Sequence, residues 1–310
     1  MKMGIVVDAC CDLTHASVRE HQVEVLPAAL VLDRMRTVID DRDPARTQEI
    51  YHRYICDRSR VPDIQPISVA AIRKRFLDDL VLRYDRLLVL CADARATGFF
   101  ANATQASYAV LKDYRQRRSA QGIDESFAMR VLDTGTLGPG TALLALAAIR
   151  GLMHSSEKFD DVRRHVQELA GRVRCHLLPA DLSYLRFRRV DTQDAAVSAL
   201  DYRLGRWLSM RPVFELNGGR WRQYGRVRSW RHGIERLLQA ATEKLKEQGT
   251  DPAIVMSFGG DPRLVRSLPA YKDFESRAAS RRIELHLAVM SATLAAQVGP
   301  GAFSIAWSET

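Results

Sequence analysis

The sequence has no paired cysteine spacing and no apolar run long enough to span a bilayer. Its five cysteines are an odd number, and the adjacent Cys10 and Cys11 are poorly placed for joint tetrahedral metal ligation. The apolar stretch 141–153 is too short for a membrane span and predicts a buried helix. The first residues have a strand pattern and lack the features of a signal peptide. These absences predict a cytoplasmic protein in a reducing compartment, with no metal and no cofactor.

Lysine is also scarce, and 39 of the 46 basic residues are arginine. The formal net charge of the chain is +9. A positive charge of this size is compatible with binding to nucleic acid, to an acidic protein surface or to phosphate. The arginines alternate with Asp and Glu through most of the chain, so a solvated surface is the simpler interpretation. A lipid-ester hydrolase would have to use a hydroxyl such as Thr97 or Ser68. The Gly-x-Ser-x-Gly motif is absent and no base is assignable.

Strand and helix patterns alternate along the chain, which indicates the α/β class. Apolar strands are predicted at 3–7, 87–91 and 129–132, each followed by a turn and a helix. Such repeats predict a mostly parallel sheet flanked by helices. We assign this sheet to an N-terminal domain over residues 1–158.

The sequence between the first two of these strands is less regular. Residues 34–43 are polar, and Pro62 and Pro66 predict a loop. Apolar residues at helical spacing predict helices at about 47–57 and 69–82.

The pattern changes after residue 158. Segments 208–216 and 219–224 predict two strands of a hairpin joined by Asn217-Gly218, which is a strong turn signal. A helix is predicted near 262–276, and further strands and helices alternate around it. Hairpin and βα units together predict a second α/β domain with a mixed sheet, over residues 159–310.

Glycine and small hydroxyl residues follow four of the predicted strands. The first strand leads into 8–13, and the others lead into Thr97-Gly98, Thr134-Gly135 and Gly299-Pro300-Gly301. In open α/β sheets, ligands bind in the crevice outside the carboxyl ends of the strands. We therefore expect these turns to surround one ligand cleft between the two domains.

Each of these segments also has a purely structural interpretation. Thr97-Gly98 is a typical cap for the helix that follows it. Asp8 and Asp12 are expected to order the first turn and to cap the next helix. Gly299-Pro300-Gly301 is typical of a tight turn.

Seven short motifs follow one another along the chain. They are Asp8-Ala9-Cys10-Cys11-Asp12-Leu13, Asp63-Ile64-Gln65-Pro66-Ile67 with Ser68, Ala96-Thr97-Gly98-Phe99-Phe100, Asp133-Thr134, Tyr184-Leu185 with Arg189-Val190, Met210-Arg211-Pro212 and Gln297-Val298-Gly299-Pro300-Gly301-Ala302. In this order they resemble the motifs of the DegV family of bacterial fatty-acid-binding proteins. Each motif is weak alone, but seven in the family's order are specific. The resemblance extends over nearly the whole chain.

The resemblance implies a non-catalytic carrier that buries one long-chain fatty acid between its domains. In related proteins the carboxylate is handed to a separate kinase, which makes an acyl phosphate for phospholipid synthesis. A fatty acid kinase subunit is therefore an implied partner. The ligand-binding positions that the resemblance implies are Asp63, Gln65, Ser68, Thr97, Gly98, Phe99, Arg189, Gln297, Gly299 and Gly301.

The head-group positions depart from the family pattern, which uses hydroxyls from two N-terminal motifs and a histidine from the C-terminal turn. Here the first hydroxyl position is Asp63 or Ile64, the second is Thr97, and Gln297 replaces the histidine. A carboxylate at Asp63 would repel a fatty acid unless one of the two were protonated. Thr97 and Gln297 can each donate a hydrogen bond, and Ser68 can substitute for the lost hydroxyl.

Residues 186–231 are dense in arginine and contain several tyrosines and tryptophans. Basic residues mixed with aromatics are typical of single-stranded nucleic-acid binders, so a nucleic-acid module is the alternative function. The segment has no recognised nucleic-acid-binding motif, and a face that docks a partner or neutralises an acyl phosphate fits the family better. The expected partner-binding residues are Arg186, Arg188, Arg206, Arg211 and Arg228.

Overall fold

The structure is a computed structural model that describes residues 2–33, 36–56, 62–153, 158–181, 184, 210–244 and 253–309. Its strands are β1 (Met3–Asp8), β2 (Glu24–Leu26), β3 (Ala28–Asp33), β4 (Arg36–Asp40), β5 (Asp63–Pro66), β6 (Arg86–Cys91), β7 (Ala128–Asp133), β8 (Val173–Leu178), β9 (Arg211–Asn217), β10 (Arg220–Val227), β11 (Ala253–Phe258), β12 (Glu284–Val289) and β13 (Phe303–Ser308). Its helices are α1 (His15–Glu20), α2 (Pro44–Ile50), α3 (Val69–Arg75), α4 (Val81–Arg83), α5 (Phe99–Ser119), α6 (Pro139–Met153), α7 (Phe159–Ala170), α8 (Trp230–Lys244), α9 (Arg263–Arg266), α10 (Pro269–Ser280) and α11 (Ala292–Val298). Two π-helical turns, Tyr51–Ile55 and Phe76–Leu80, extend α2 and join α3 to α4.

Four parallel strands form the N-terminal sheet, in the order β2-β1-β6-β7. Strands β1 and β6 are almost entirely buried, as expected for central strands of a parallel sheet that is covered on both faces. The predicted α/β class is confirmed. Parallel pairing also places the carboxyl ends of β1, β6 and β7 at one edge of the sheet.

A three-stranded antiparallel sheet, in the order β4-β3-β5, includes two strands in segments that the sequence predicts to be a polar segment and a loop. The loop prediction around Pro62 and Pro66 is wrong for 63–66, which pair with 28–31. Proline is tolerated in β5 because this strand lies at the edge of the sheet. The side chains of β4 and β5 are mostly exposed or half-buried, so their sequences have no apolar run that would indicate a strand.

Six strands form a mixed C-terminal sheet, in the order β10-β9-β8-β13-β11-β12, with β11 and β12 parallel. The predicted hairpin is present as β9 and β10. Its two-residue turn is Gly218-Gly219, with φ of 53° and 71°. A turn of this kind needs positive φ at both central positions, and glycine adopts positive φ readily. Asn217 instead ends β9 opposite Arg220, so the predicted turn is one residue too early.

Helix α6 lies between the two main sheets and contacts β1 and β6 on one side and β8, β11 and β13 on the other. Twelve of its fifteen residues are buried, which explains why its sequence is apolar on every side. One hydrophobic core extends through α6 into both sheets, and a second lies between the C-terminal sheet and helices α8 and α10. Because the first core is shared, the domain division at residue 158 stays a prediction.

The predicted helix near 262–276 forms as two helices, α9 and α10. Leu268 has φ −69° and ψ 133°, because a residue before proline is disfavoured in helical conformation and Pro269 follows it. Helix α11 is not predicted from the sequence, because it has only seven residues. In the part of the chain that the structure describes, no helix is long and apolar enough to cross a membrane.

Glu215 and His176 form a buried pair on neighbouring strands. Glu215 Oε2 lies 3.1 Å from His176 Nε2, and Arg222 Nε donates to Glu215 Oε1 at 2.7 Å. The rings of Trp307 and Tyr224 each pack against the imidazole, with centroids 4.4 Å away. Burial alone would raise the pKa of Glu215, but His176 and Arg222 outweigh it and hold the pKa at about 2. The ionised carboxylate therefore stabilises the folded chain.

We expect this stabilisation to disappear in acid. The pKa of Glu215 is about 2 in the fold against an ordinary value of 4.5. The contribution is therefore complete above the ordinary pKa and is lost as pH falls towards the folded one. Glu215→Gln should lower the free energy of unfolding at neutral pH and flatten its decline in acid, measured by urea denaturation across pH. Glu49→Gln, at a half-exposed position, should keep the wild-type profile. An unchanged acid slope in Glu215→Gln would contradict this assignment.

Candidate ligand site at the strand exits

Hydrogen bonds join the carboxyl ends of β1, β6 and β7. The N–H of Ala92 donates to Asp8 Oδ2 at 2.6 Å, and the N–H of Asp93 donates to Thr136 O at 2.9 Å. The N–H of Asp12 donates to Gly138 O at 3.1 Å. The turns that follow these three strands therefore share one edge of the N-terminal sheet, where ligands bind in folds of this class.

Asp8 and Asp12 are buried carboxyls at this edge. Burial raises the pKa of Asp8 to about 7, although the N–H groups of Ala92 and Cys10 donate to its oxygens. Burial also raises the pKa of Asp12, and the nearby Arg42 opposes that shift. The two carboxyls accept backbone N–H groups, which favours an ordering role at the strand exits over contact with a ligand.

The loops that carry Pro66 and Thr97 meet beside this edge. A Cβ on Gly98 would lie 3.0 Å from Pro66 Cγ, so the two chains are in close contact. Thr97 is half-buried, and its Oγ1 donates to Asp93 O at 3.4 Å, near the upper limit for a hydrogen bond. Such a long bond holds the hydroxyl only weakly, so a stronger acceptor can replace Asp93 O.

Asp63, Gln65 and Ser68 lie at exposed positions of β5 and of the turn after it. Ser68 Oγ accepts the N–H of Ala71 at 3.3 Å and caps α3, and its own proton remains able to donate. Asp63 begins β5, three residues before Pro66, which corresponds to about 10 Å along a strand. The carboxylate of Asp63 is therefore attached well away from the point where the two loops meet.

Gln297 lies in the last turn of α11 and is half-buried. Its Nε2 donates to Thr293 O at 3.5 Å, which is another long hydrogen bond. Within the described residues, no hydrogen bond joins Gln297 to Thr97. The two predicted head-group donors thus lie on elements from opposite halves of the chain, and each is only weakly engaged by its own backbone.

The glycine turn after α11 packs against Tyr184. Gly299 has φ 88°, and a Cβ there would lie 2.8 Å from the tyrosine ring. The ring has no room to retreat, because Tyr184 is buried and its hydroxyl donates to Ile55 O at 2.6 Å. Trp230 Nε1 donates to Gly301 O at 2.7 Å, which holds the other end of the turn.

The remaining predicted residues have varied environments. Phe99 is fully buried in the core, whereas Phe100 is half-buried. Arg211 donates to the carbonyl of Ala180, and Arg228 is exposed. The predicted residues that lie outside the described residues, and whose roles stay predictions, are Arg186, Arg188, Arg189 and Arg206.

A contact between the β9–β10 hairpin and the strand exits is not evident from the sequence. The N–H of Gly219 donates to Gly135 O at 2.6 Å, and Arg95 Nη2 donates to Gly218 O at 2.6 Å. The hairpin tip therefore packs against the loop that carries Thr97. A turn signal predicts the hairpin but not its destination, because Arg95 and Gly218 are 123 positions apart.

The residues predicted to hold the head group are neutral hydrogen-bond donors. Thr97 and Ser68 supply hydroxyls, and Gln297 supplies an amide. Across the residues that the structure describes, neither hydroxyl is hydrogen-bonded to a histidine or carboxylate side chain. In the same residues, no group of three or more His, Cys, Asp or Glu is placed to hold a metal ion. Such donors suit the oxygens of a bound carboxylate or phosphate.

The fold and these donors define an α/β protein with a parallel sheet, a mixed sheet and hydrogen-bond donors at the strand exits. A family model described as "Uncharacterised protein, DegV family" matches residues 2–310. The chain therefore belongs to the DegV family, as its ordered motifs predict.

Relatives and solved structures agree with this assignment. A DegV domain-containing protein of Xanthomonas campestris is 32% identical over 308 residues, which are 99% of this chain and 98% of the relative. A fatty acid-binding protein of Thermotoga maritima is 23% identical over 249 residues, 80% of this chain and 77% of the relative. A stearic acid-binding protein from Eubacterium ventriosum has a TM-score of 0.79 and 20% identity, covering 99% of this chain and 98% of that one. The last comparison confirms the fold.

Proposed function

We propose that this chain is a non-catalytic carrier that binds one long-chain fatty acid between its units 1–158 and 159–310. The observation that carries the proposal is the likeness, over most of the chain, to proteins named for fatty-acid binding in Thermotoga maritima and Eubacterium ventriosum. The weakly engaged donors at the strand exits add support, since they suit a carboxylate.

The acyl chain would supply most of the affinity. At roughly 0.8 kcal/mol for each buried CH₂, a chain of about sixteen carbons gains on the order of 10 kcal/mol before ordering costs. A buried carboxylate would cancel part of that gain unless it found hydrogen-bond donors. The head-group site therefore decides whether the ligand is an acid or a neutral lipid.

In this proposal Thr97 and Gln297 hold the carboxylate, with Ser68 as a third donor. Binding would exchange the long bonds of Thr97 to Asp93 O, at 3.4 Å, and of Gln297 to Thr293 O, at 3.5 Å, for stronger bonds to a charged oxygen. Because an amide does not titrate near neutral pH as histidine does, Gln297 should add no pH dependence of its own to binding.

A matched pair of ligands tests the head-group assignment. Palmitic acid should bind the delipidated chain at least about tenfold more tightly than methyl palmitate, because the ester keeps the acyl chain but lacks the charge. Isothermal titration calorimetry with each ligand measures the ratio. Equal affinities would show that the carboxylate is not recognised, and tighter ester binding would favour a carrier of neutral lipids.

We also propose that the chain hands its bound fatty acid to a separate kinase in the cytoplasm. The family resemblance supports this step, and the exposed Arg228 is one residue able to face an acidic partner or an acyl phosphate. The test supplies a fatty acid kinase with ATP, with and without the loaded chain. Acyl phosphate should form only when the chain is present, and formation from free fatty acid alone would contradict the handover.

We expect oligonucleotides to bind only weakly. Several arginines of the segment 186–231 already have partners, since Arg222 pairs with Glu215, Arg211 donates to Ala180 O and Arg231 pairs with Glu235. The remaining arginines would contact the phosphates of the oligonucleotide. The affinity for DNA should therefore fall steeply as the salt concentration rises through the physiological range. Fluorescence anisotropy with single-stranded and duplex DNA measures this, and tight, salt-resistant binding would favour the nucleic-acid alternative.

A further inference from the structure

The junction between β12 and α11 is held by two carboxylates from the N-terminal half of the chain. The N–H of Ser291 donates to Asp12 Oδ1 at 2.7 Å. The N–H and the hydroxyl of Thr293 both donate to Asp40 Oδ2, each at 2.7 Å. All four side chains are buried. These hydrogen bonds are short and lie away from water, where a hydrogen bond is stronger than in water, so this contact fixes the start of α11.

Arg42 joins the same junction in an unusual backbone conformation. Its φ is 67°, a left-handed value that costs energy for any residue with a Cβ. Its Nη2 donates to Leu13 O at 3.2 Å and to Val289 O at 3.1 Å, so the guanidinium bridges the two halves of the chain. Its Nη1 lies 3.8 Å from Asp12 Oδ1. The bridging hydrogen bonds of the guanidinium, rather than the positive φ alone, indicate a role for this side chain.

The contact continues from the junction to the predicted head-group site. Asp40 holds Thr293, and the carbonyl of Thr293 accepts the side-chain amide of Gln297 one helical turn later, at 3.5 Å. Helix α11 ends immediately afterwards at Gly299. In such a short helix, the position of the first turn determines where Gln297 and the glycine turn lie.

We propose that Asp40 and Arg42 are positioning residues of the ligand site, which hold α11 so that Gln297 and the turn 299–301 are set for the head group. The inference rests on the proposed function, because that function supplies the ligand. The hydrogen bonds of Asp40 and Arg42 do not depend on it. Neither residue touches the ligand in this proposal. Each acts across the contact between the two halves of the chain.

Substitutions at Thr293 test this with little disturbance to the fold. Thr293→Val keeps the side-chain shape and removes the hydroxyl donor to Asp40, while the N–H donor stays. Thr293→Ser keeps both donors. Thr242→Val is a matched control in α8, where the hydroxyl donates only to Leu238 O at 2.8 Å. Asp40→Asn is the stronger variant, and Thr293→Val keeps the test valid if Asp40→Asn fails to fold.

Two measurements are needed, because a merely structural role would change stability alone. Amide hydrogen exchange of the unliganded protein should rise about tenfold in Thr293→Val, confined to residues 292–299. Affinity for palmitic acid should fall about three- to tenfold in Thr293→Val. Thr293→Ser should restore both values towards those of the wild type, and Thr242→Val should change neither.

Uniform or unchanged exchange in Thr293→Val, together with wild-type affinity, would overturn the positioning role. A wild-type chain that binds no fatty acid would instead refute the proposed function. In that case the exchange measurement alone still decides whether the contact from Asp40 holds α11.

Discussion

Replacing Thr97 by valine should weaken fatty-acid binding about tenfold to a hundredfold at neutral pH. Valine keeps the shape of threonine and deletes the hydroxyl, so a buried carboxylate would lose one of its few donors. Removing a hydrogen bond to a charged group costs roughly 1.5–3 kcal/mol. The present bond of the hydroxyl, to Asp93 O at 3.4 Å, is too long to contribute much to the fold. The free energy of unfolding without ligand should therefore change little.

The control for this experiment is Thr97→Ser, which keeps the donor and should bind close to the wild-type level. Calorimetry with palmitic acid and urea denaturation of the unliganded chain separate the loss of affinity from any loss of stability. Wild-type affinity in both Thr97→Val and Gln297→Ala would show that the head group lies elsewhere, or that the chain carries a different ligand.

The second large effect is expected at Gly299. Gly299→Ala places a methyl group at φ 88° and ψ 154°, a region that is essentially restricted to glycine. The methyl would also lie 2.8 Å from the ring of Tyr184, which is buried and hydrogen-bonded to Ile55 O. Backbone strain and overpacking together should lower the free energy of unfolding by about 2–5 kcal/mol. Ligand affinity should fall as well, because the turn beside Gln297 must shift.

Gly122→Ala is the matched control, because Gly122 has φ 68° and a Cβ there meets nothing within 4 Å. It isolates the backbone cost of a left-handed alanine, about 1 kcal/mol. Urea denaturation of the two variants gives the additional loss at Gly299, which combines its more restricted backbone conformation with the Tyr184 contact. Equal losses of stability would show that neither of them confines the turn.

Regular, apolar elements of this fold are predictable from the sequence. Strands β1 and β6 are continuous buried runs, and α6 is apolar on every side because it lies between two sheets. The missed elements are short or polar. Strands β4 and β5 lie at the edges of a small sheet, and most of their side chains are exposed or half-buried. Helix α11 is mostly buried, but its seven residues are too few to show a helical period.

The residues of the candidate site are likewise only partly predictable from the sequence. Ordered motifs direct attention to Thr97, Gln297 and the glycine turn, because short segments with fixed spacing can be read from one sequence. The contact from Asp40 to Thr293 joins positions 253 residues apart and leaves no local pattern. The left-handed conformation of Arg42 is equally invisible, since the sequence offers glycine or asparagine as signals of positive φ and arginine is neither.

Native mass spectrometry of the delipidated chain with added fatty acids measures directly whether the chain carries a fatty acid. We expect a one-to-one complex with acids of roughly twelve to eighteen carbons. Methyl esters of the same acids should give little complex at equal concentration. Failure of the folded chain to take up any of these acids would contradict the claim that it is a fatty-acid carrier.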